Sequence, residues 1–308
     1  MHSIVTITLN PVIDKNISVP RLMPEKKIRC EHMLEEAGGG GINVSKALKI
    51  LGQDSLALMP MGGYNEPHLK ALLTEKEINF HSFHSAAEVR ENISIFDEDN
   101  HKQYRIVMEG KPQSPSLDKE ILAYISSLVP PPKIIVISGS NPKGISTNFY
   151  GDLAMLTNSL SAKLIVDTSG PALKSALDQG VYLIKPNLQE LGTLVGDENL
   201  TPENAVAAAQ HFIHTSKCEA IVVSMASEGA MLITQNFLKN IKAPKVDVKS
   251  TIGAGDSLVA GIVFKTLKGE KLEDAIRFGI ACGSAATLHS GTRLFSKEDV
   301  FALLPHIH

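Results

Sequence analysis

The chain has 308 residues, of which 43% are apolar and 20% charged, and its net charge is −3 at pH 7. This length suits one large or two smaller globular domains. The slight negative charge, without a long block of one sign, argues against nucleic acid or an anionic membrane as the main partner, because both usually require a basic surface.

The cysteines and the apolar runs restrict the classes of site and the cellular compartment that the sequence fits. Cys30, Cys218 and Cys282 lie far apart and form no CxxC pair, which argues against a zinc site or a disulfide framework. The N-terminus has no basic-then-apolar signal pattern, and no apolar run approaches the ~18 residues needed to span a bilayer. We therefore expect a cytoplasmic enzyme or binding protein.

Short apolar runs rich in valine and isoleucine alternate with stretches of helical spacing. Runs such as Ile134–Ile137 are apolar on both faces, which is typical of parallel strands covered on both sides. The predicted strands are Ile4–Leu9, Ser55–Pro60, Lys133–Ser138, Lys163–Asp167, Val181–Lys185 and Glu219–Ser224. The predicted helices between or after them include Ser146–Leu160, Pro202–Thr215 and Gly255–Leu267. This alternation predicts a doubly wound α/β sheet.

Two segments break this alternation. Asn92–Phe96 and Gln103–Met108 alternate apolar and polar residues around the turn Asp97–Asn100, the pattern of an antiparallel hairpin with one solvated face. Ile13–Met33 is not helical in pattern either. We interpret these segments as a small β-layer that projects from the main sheet and covers a ligand, a partner subunit or both.

Four consecutive glycines, Gly38–Gly41, precede a helix-forming stretch that reaches Leu48. Glycine lets the backbone approach a ligand closely, and the N–H groups at a helix start can bind an anionic or hydroxyl-rich ligand. A tight turn without chemical importance is the alternative. The dinucleotide fingerprint fails because Asn43 stands where a glycine is required, and the chain has no GxxxxGK[ST] motif.

Asp256 falls in the first turn of a predicted helix that follows Gly253–Gly255. The N–H groups at a helix start lack partners within the helix, so they can hold the oxygens of a transferring phosphoryl group. A carboxylate beside them can accept the proton of an attacking hydroxyl. A simple helix cap is the alternative. Two glycine-led helix starts in one chain favour catalysis, because one can hold the acceptor and the other the phosphates.

Lys185–Glu190 follows a predicted strand, and ligand sites in open α/β sheets lie at the carboxyl ends of strands. Asn187 and Glu190 are three residues apart, so on a helix they share a face. Their oxygens can hold Mg²⁺ through water. A capping arrangement is the alternative, and taken alone these residues favour it.

Together, in this order, the three motifs resemble the PfkB family of ribokinase-like carbohydrate kinases. Gly38–Leu48 resembles the first family signature, Thr251–Gly261 the second, and Lys185–Glu190 the Asn-x-x-Glu element. The resemblance covers essentially the whole chain. It implies a single domain over 1–308, a three-layer α/β/α sandwich with a small β-sheet lid formed by about 13–33 and 90–109.

Within the family, the chain is most similar to the minor bacterial type of 6-phosphofructokinase. The segments that carry this similarity are Leu9–Asp14, Pro24–Cys30, Tyr104–Arg105, Ser138–Ser140, Val166–Gly170, Ala285–Leu288 and Gly291–Arg293. The resemblance implies ATP-dependent phosphorylation of fructose 6-phosphate to fructose 1,6-bisphosphate in glycolysis. A 1-phosphofructokinase, a tagatose-6-phosphate kinase and a catalytically silent sugar-phosphate sensor are the alternatives. A nicotinamide-dependent oxidoreductase is disfavoured by Asn43.

The resemblance also implies roles for individual residues. Sugar hydroxyls would be held by Asp14, Gly39, Gly40 and Asn43. The phosphate already on the sugar would be surrounded by Lys27, Arg90 and either Ser138 or Gly139. The ATP site would comprise Lys185, Asn187, Ser224, Gly229 and Thr251. The anion hole and the base would be formed by Gly253, Ala254, Gly255 and Asp256.

The implied metals and partners complete this expectation. Glu190 would hold Mg²⁺ through water. A K⁺ loop would be formed by Ser250, Ile252, Ala286, His289 and Gly291. The lid would pair with the lid of a second copy in a homodimer. One departure from the family pattern lies in the nucleotide loop, where Ala226 stands at a position that is usually glycine.

Overall fold

The computed structural model describes residues 2–30, 33–197, 199–289 and 291–308. Its strands are β1 (Ile4–Ile7), β2 (Val12–Val19), β3 (Met33–Gly38), β4 (Leu56–Met61), β5 (Asn79–His84), β6 (Arg90–Asp97), β7 (Lys102–Val107), β8 (Ile134–Ser138), β9 (Lys163–Asp167), β10 (Val181–Ile184), β11 (Cys218–Ser224), β12 (Ala230–Thr234) and β13 (Leu238–Ile241). Its helices are α1 (Gly40–Ile50), α2 (Glu66–Glu75), α3 (Leu117–Ser127), α4 (Asn148–Ser159), α5 (Gly170–Gln179), α6 (Leu188–Val195), α7 (Pro202–Thr215), α8 (Ala254–Leu267), α9 (Leu272–Ala286) and α10 (Lys297–Leu303).

The main sheet has nine strands in the order β13-β12-β11-β10-β9-β8-β1-β4-β5. The seven strands β5, β4, β1, β8, β9, β10 and β11 are parallel to one another, and β12 and β13 extend the sheet as antiparallel strands. Side chains alternate between two buried faces, so Ile135 and Ile137 pack with helices α3–α7 while Ile134 and Val136 pack with α1, α8, α9 and α10. The predicted three-layer α/β/α sandwich is therefore confirmed.

The lid is a four-stranded sheet in the order β3-β2-β6-β7. The predicted hairpin corresponds to β6 and β7, which pair antiparallel. Val12 of β2 pairs with Gly38 of β3, so the lid continues past its predicted end at 33 up to the first glycine of the glycine run. Because β3 ends at Gly38 and α1 begins at Gly40, the glycine run leads directly from the lid into α1.

The predicted strands of the main sheet all appear, whereas β5, β12 and β13 were not predicted. β5 is an edge strand of mixed polarity, with the sequence Asn79–His84, so it lacks the continuous apolar run of a central strand. β12 and β13 form an antiparallel pair at the opposite edge. Within the part of the chain that the structure describes, no helix is both long and apolar enough to span a membrane.

Candidate active site

Polar side chains converge at the carboxyl edge of the main sheet, where parallel strands end together. Ser138 ends β8, Asp167 ends β9, and Lys185 follows β10. Backbone hydrogen bonds join these ends, since Gly139 N donates to Asp167 O over 3.1 Å and Lys185 N donates to Val166 O over 3.3 Å. Next along the edge, Asn187 forms an isolated parallel bridge with Ser224. Ser138 of the predicted acceptor residues and Lys185, Asn187 and Ser224 of the predicted ATP residues thus share one edge.

The start of α8 presents an open set of N–H donors. Gly253 caps the helix with a left-handed φ of 74°, and a side chain there would collide with Leu294, so the turn requires glycine. The first strong helical hydrogen bond runs from Ser257 N to Gly253 O at 2.8 Å. Among the described residues, no acceptor is paired with the N–H groups of Gly255 and Asp256. Those groups are free to bind an anion.

Asp256 lies in the first turn of α8 and contacts the start of α1. Its Oδ2 accepts a hydrogen bond from Asn43 Nδ2 at 2.9 Å, and its Oδ1 lies 3.4 Å from Ser138 Oγ. Burial removes the Asp256 carboxylate from water and, with the nearby negative charge of Asp167, raises its pKa to about 6. Part of the side chain still faces the cleft. A general base with such a pKa can cycle its proton near neutral pH.

Lys185 and Asp167 form the other side of this cluster. Lys185 Nζ lies 3.1 Å from Asp167 Oδ1, and Ser138 Oγ lies 3.3 Å from Asp167 Oδ2. Burial opposes the charge on Lys185, but Asp167, with the charges of Glu190 and Asp256, acts in the opposite direction, and the pKa of the lysine is raised. The ammonium group also lies close to Gly255 at the start of α8. Its fixed positive charge therefore faces the anion-binding turn.

Asp167 was not among the residues assigned from the sequence, although its strand was predicted to end there. An acidic side chain at the carboxyl end of a parallel strand was the signal that could have identified it. Asn92 was missed as well. Its Nδ2 donates to Asp14 Oδ1 at 2.9 Å across the lid, and a cross-strand polar pair on one face becomes visible only once the register is known.

The glycine run brings α1 against the end of β8. Gly39 adopts a φ of 112°, and a side chain on Gly40 would overlap Ser138 Oγ and the backbone of Gly139. Only glycine allows this approach, which places Asn43 beside Asp256. The predicted acceptor residues Gly39, Gly40, Asn43, Ser138 and Gly139 therefore meet at one point.

Arg90 and Asp14 mark the lid side of the cleft. Arg90 donates to Asn92 Oδ1 and Met108 O at 3.2 Å and to Asn10 O at 3.3 Å, while its buried Nε has no partner among the described residues. Burial lowers the pKa of Arg90 and raises that of Asp14. A planar, partly unpaired guanidinium beside a polar cleft suits a phosphate.

Three predicted residues lie apart from this cluster or act differently. Lys27 is exposed on the segment between β2 and β3, and the structure does not bring it to the cleft. Thr251 is exposed just before the α8 turn. Glu190 forms a capping box with Asn187 at the start of α6: Asn187 N donates to Glu190 Oε2 at 2.9 Å, and Glu190 N donates to Asn187 Oδ1 at 2.8 Å.

The nucleotide loop and the predicted K⁺ loop have defined conformations. Gly229 adopts a φ of 98°, and Ala226 adopts a φ of 49°, which explains why glycine suits the position of Ala226. Near α8, Lys249 N donates to Thr287 O at 2.8 Å, and Ser250 Oγ donates to Gly291 O at 2.9 Å. These bonds hold the segments that contain Ser250, Ile252, Ala286, His289 and Gly291 side by side.

Comparisons with known proteins agree with this geometry. The family model described as pfkB family carbohydrate kinase matches residues 1–299. The chain is 36% identical over 304 residues to the ATP-dependent 6-phosphofructokinase isozyme 2 of Escherichia coli strain K12, covering 97% of both proteins. It is 32% identical to the 1-phosphofructokinase of Borreliella burgdorferi, covering 99% of this chain and 97% of that protein.

Solved structures show the same fold. The structure of phosphofructokinase-2 from E. coli in complex with potassium has a TM-score of 0.92 at 35% identity and covers 99% of both chains. The same protein in complex with fructose-6-phosphate and in a tetrameric inhibited form gives TM-scores of 0.90 and 0.91, each at 34% identity and 99% coverage of both chains. The sequence motifs, the ribokinase-like fold and these matches lead to one conclusion: the chain belongs to the pfkB family of carbohydrate kinases.

Proposed function

We propose that this kinase transfers the terminal phosphoryl group of ATP to a free hydroxyl of a phosphorylated ketohexose, with fructose 6-phosphate as the preferred acceptor. The observation that carries the proposal is the position of Asp256, which lies beside Asn43 and Ser138 and next to the unpaired N–H groups at the start of α8. A base and an anion-binding turn in contact suit transfer of a phosphoryl group to an alcohol.

In this mechanism, Asp256 takes the proton from the attacking hydroxyl of the sugar. Asn43 holds the carboxylate in place through its 2.9 Å hydrogen bond. The N–H groups of Gly255 and Asp256, with the ammonium of Lys185, stabilise the negative charge on the transferring group. The sugar oxygen forms a bond to the terminal phosphorus while the bond from that phosphorus to the bridging oxygen of ATP breaks, the hydroxyl proton passes to Asp256, and ADP leaves.

The metal ions implied by the family have suitable residues. Mg²⁺ would neutralise charge on the phosphates of ATP. Glu190 uses Oε2 for the helix cap, and its Oε1 accepts no hydrogen bond from the described residues, so it can receive a metal-bound water. For K⁺, the carbonyls of Ser250, Ile252, Ala286, His289 and Gly291 offer the oxygen ligands that this ion takes, and the Ser250–Gly291 bond supports the loop.

The preference for a phosphorylated acceptor rests on Arg90. Its side chain is half-buried at the base of the lid, and its buried Nε is unpaired within the described residues. An unpaired buried donor costs free energy, and a phosphate on the sugar would satisfy it. The E. coli relative solved with fructose-6-phosphate supports this acceptor, while the 1-phosphofructokinase relative keeps fructose 1-phosphate as the alternative, with tagatose 6-phosphate.

We also propose that two copies pair through their lids. A row of apolar side chains crosses the outer face of the lid, formed by Met33, Ile17, Ile95 and Tyr104, which are successive partners in register. Met33 is 54% exposed and Tyr104 41% exposed. The inner face carries the polar pair of Asp14 and Asn92. An apolar outer face on a thin sheet calls for cover by a second lid.

An assay of ADP release over a panel of acceptors tests the proposed function. The panel is fructose 6-phosphate, fructose 1-phosphate, tagatose 6-phosphate, fructose and ribose. We expect the highest kcat/KM with fructose 6-phosphate and little turnover of the free sugars. Arg90→Ala should raise the KM for the acceptor much more than the KM for ATP. Equal rates with fructose and fructose 6-phosphate would contradict the acceptor assignment, and binding without turnover would favour a silent sensor.

A further inference from the structure

A second cleft, of about 400 Å³, lies behind the catalytic turn. Its walls are Glu36 of β3, the C-terminal half of α1, the connection from α2 to β5, His289 and Arg293–Ser296. Its volume falls within the range of small-molecule sites, roughly 300–1,000 Å³. His289 of the proposed K⁺ loop lines the cleft, but none of the residues assigned to the acceptor or to ATP does, so the cleft does not overlap the acceptor and ATP sites.

The charges around this cleft are unbalanced. Its described lining contains the cations Lys46, Lys49, Lys76 and Arg293, whereas Glu36 is its only carboxylate. One oxygen of Glu36 accepts the hydroxyl of Thr292, and the other lies 3.8 Å from Lys46 Nζ. Glu36 therefore cannot neutralise the remaining three cations.

Lys46 is the innermost cation of the cleft. Its side chain is buried, and Nζ donates to Ala37 O at 3.0 Å. Burial lowers the pKa of Lys46, while the charges of Glu36, Asp14 and Asp256 raise it and that of Lys76 lowers it. Because Lys46 and Lys76 both line the cleft, an anion bound there would lie near both positive charges and attract them.

The outer cations are available to a ligand. Lys49 lies 3.3 Å from Asp54 and 3.5 Å from Glu77, and Lys76 lies 3.2 Å from Glu75, but these carboxylates are 60%, 79% and 66% exposed. Exposed pairs of this kind contribute little, about 0–1 kcal/mol. Arg293 is exposed and has no hydrogen-bond or ion-pair partner in the described part of the chain.

Apolar side chains form the rest of the walls. Ile78, Leu294 and Phe295 line the cleft and are themselves almost fully buried. Apolar walls with a few convergent charged groups are the usual composition of a small-molecule site. They also reduce the local dielectric constant, which strengthens attraction between the cations and an anion.

We propose that this cleft binds a small phosphorylated metabolite that carries two or more negative charges. Arg293 presents a planar fork that matches phosphate oxygens, and Lys49 and Lys76 supply further charge. The cleft also contacts the catalytic turn, because Leu294 packs directly against Gly253. A ligand that moves Leu294 would therefore alter the start of α8, so the cleft is placed to act as an effector site.

Titration calorimetry with inorganic pyrophosphate, without Mg²⁺ and with ADP and fructose 1,6-bisphosphate at saturating concentrations, tests the proposal. We expect saturable binding to the unmodified protein and at least a tenfold higher Kd for Lys49→Ala/Lys76→Ala. Lys70→Ala is the matched control, because Lys70 lies on α2 but pairs with Glu66 at 2.6 Å and does not line the cleft. This control should bind like the unmodified protein.

Arg293→Gln provides a second, independent variant and should also weaken binding about tenfold. Only the effector role of the cleft rests on the proposed function. Because pyrophosphate affinity is measured without turnover, absence of binding would leave the proposed function standing, and failure of the acceptor assay would leave the binding result standing. Two results would overturn the proposal: absence of saturable pyrophosphate binding to the unmodified protein, or an unchanged Kd in both Lys49→Ala/Lys76→Ala and Arg293→Gln.

Discussion

Asp167 Oδ1 lies 3.1 Å from Lys185 Nζ, and this ion pair joins the carboxyl ends of two adjacent strands, β9 and β10. The second oxygen of Asp167 accepts a hydrogen bond from Ser138 Oγ, at the end of β8, at 3.3 Å. One carboxylate therefore positions both the cation that faces the anion-binding turn and the serine that contacts Asp256. Its negative charge also raises the pKa of Asp256.

Asp167→Asn should reveal two effects of the Asp167 charge, one on the pKa of Asp256 and one on the position of Lys185. Loss of the charge removes a cause of the raised pKa of Asp256, so the acid limb of the kcat/KM profile should move to lower pH, by up to about one pH unit. Lys185 loses its nearest anion, so the KM for ATP should rise. A purely structural role for Asp167 would leave the acid limb in place, and pH profiles of the two proteins distinguish these outcomes.

Much of the candidate active site could be predicted from the sequence, because runs of glycine before a helical pattern and polar residues directly after apolar strands are typical of ligand sites. Gly253–Asp256 and Gly38–Asn43 were both placed at helix starts, and the structure brings Asn43 to within 2.9 Å of Asp256. Lys27 could not be placed, because its segment has no periodic pattern and lies exposed. Asn92, the partner of Asp14, depends on a parallel pairing between β2 and β6 that local sequence does not determine.

The pH dependence of stability follows from Asp256. Its pKa is about 6 in the folded protein against an ordinary value of 3.8, so the folded state favours the protonated form. Above about pH 6, the charged carboxylate lowers the free energy of unfolding, by at most about 3 kcal/mol. Below the ordinary value, both states are protonated and the effect vanishes.

Asp256→Asn should therefore unfold at a higher temperature than the unmodified protein at pH 8, and the difference should shrink as the pH falls toward 4. Asp152→Asn, at an exposed position of α4, should show no such trend. Thermal unfolding at a series of pH values measures both. A constant difference across the series would mean that Asp256 is not desolvated in the folded state.

Ala226→Gly should stabilise the protein. The φ of Ala226 is 49°, a left-handed conformation that costs an L-residue roughly 1–2 kcal/mol, and its exposed side chain makes no compensating contact in the core. We expect the free energy of unfolding to rise by about 1 kcal/mol. Ala207→Gly, at an exposed site inside α7, should lower it by about 1 kcal/mol. Urea unfolding measures both changes, and a fall in the free energy of unfolding for Ala226→Gly as well as for Ala207→Gly would refute the strain at Ala226.

Ile95→Glu should prevent the proposed pairing of lids. Ile95 lies at the centre of the apolar row between Ile17 and Tyr104, and a buried charge there would be unpaired. Light scattering should show monomers with a raised KM for the acceptor. Gln103→Glu places the same charge on the opposite face of the lid, beside Ser94, and should leave the dimer intact. A fully active monomer of the unmodified protein at working concentration would contradict the account.

The central claim is that Asp256 is the base for phosphoryl transfer, and its most direct test is single-turnover transfer by Asp256→Asn with ATP and fructose 6-phosphate. Calorimetry on the same variant should show that both substrates still bind with near-normal affinity. General-base assistance is worth about 10²–10⁴-fold, so the transfer rate should fall by that factor. Transfer at close to the rate of the unmodified protein, with both substrates bound, would remove Asp256 from the role of base.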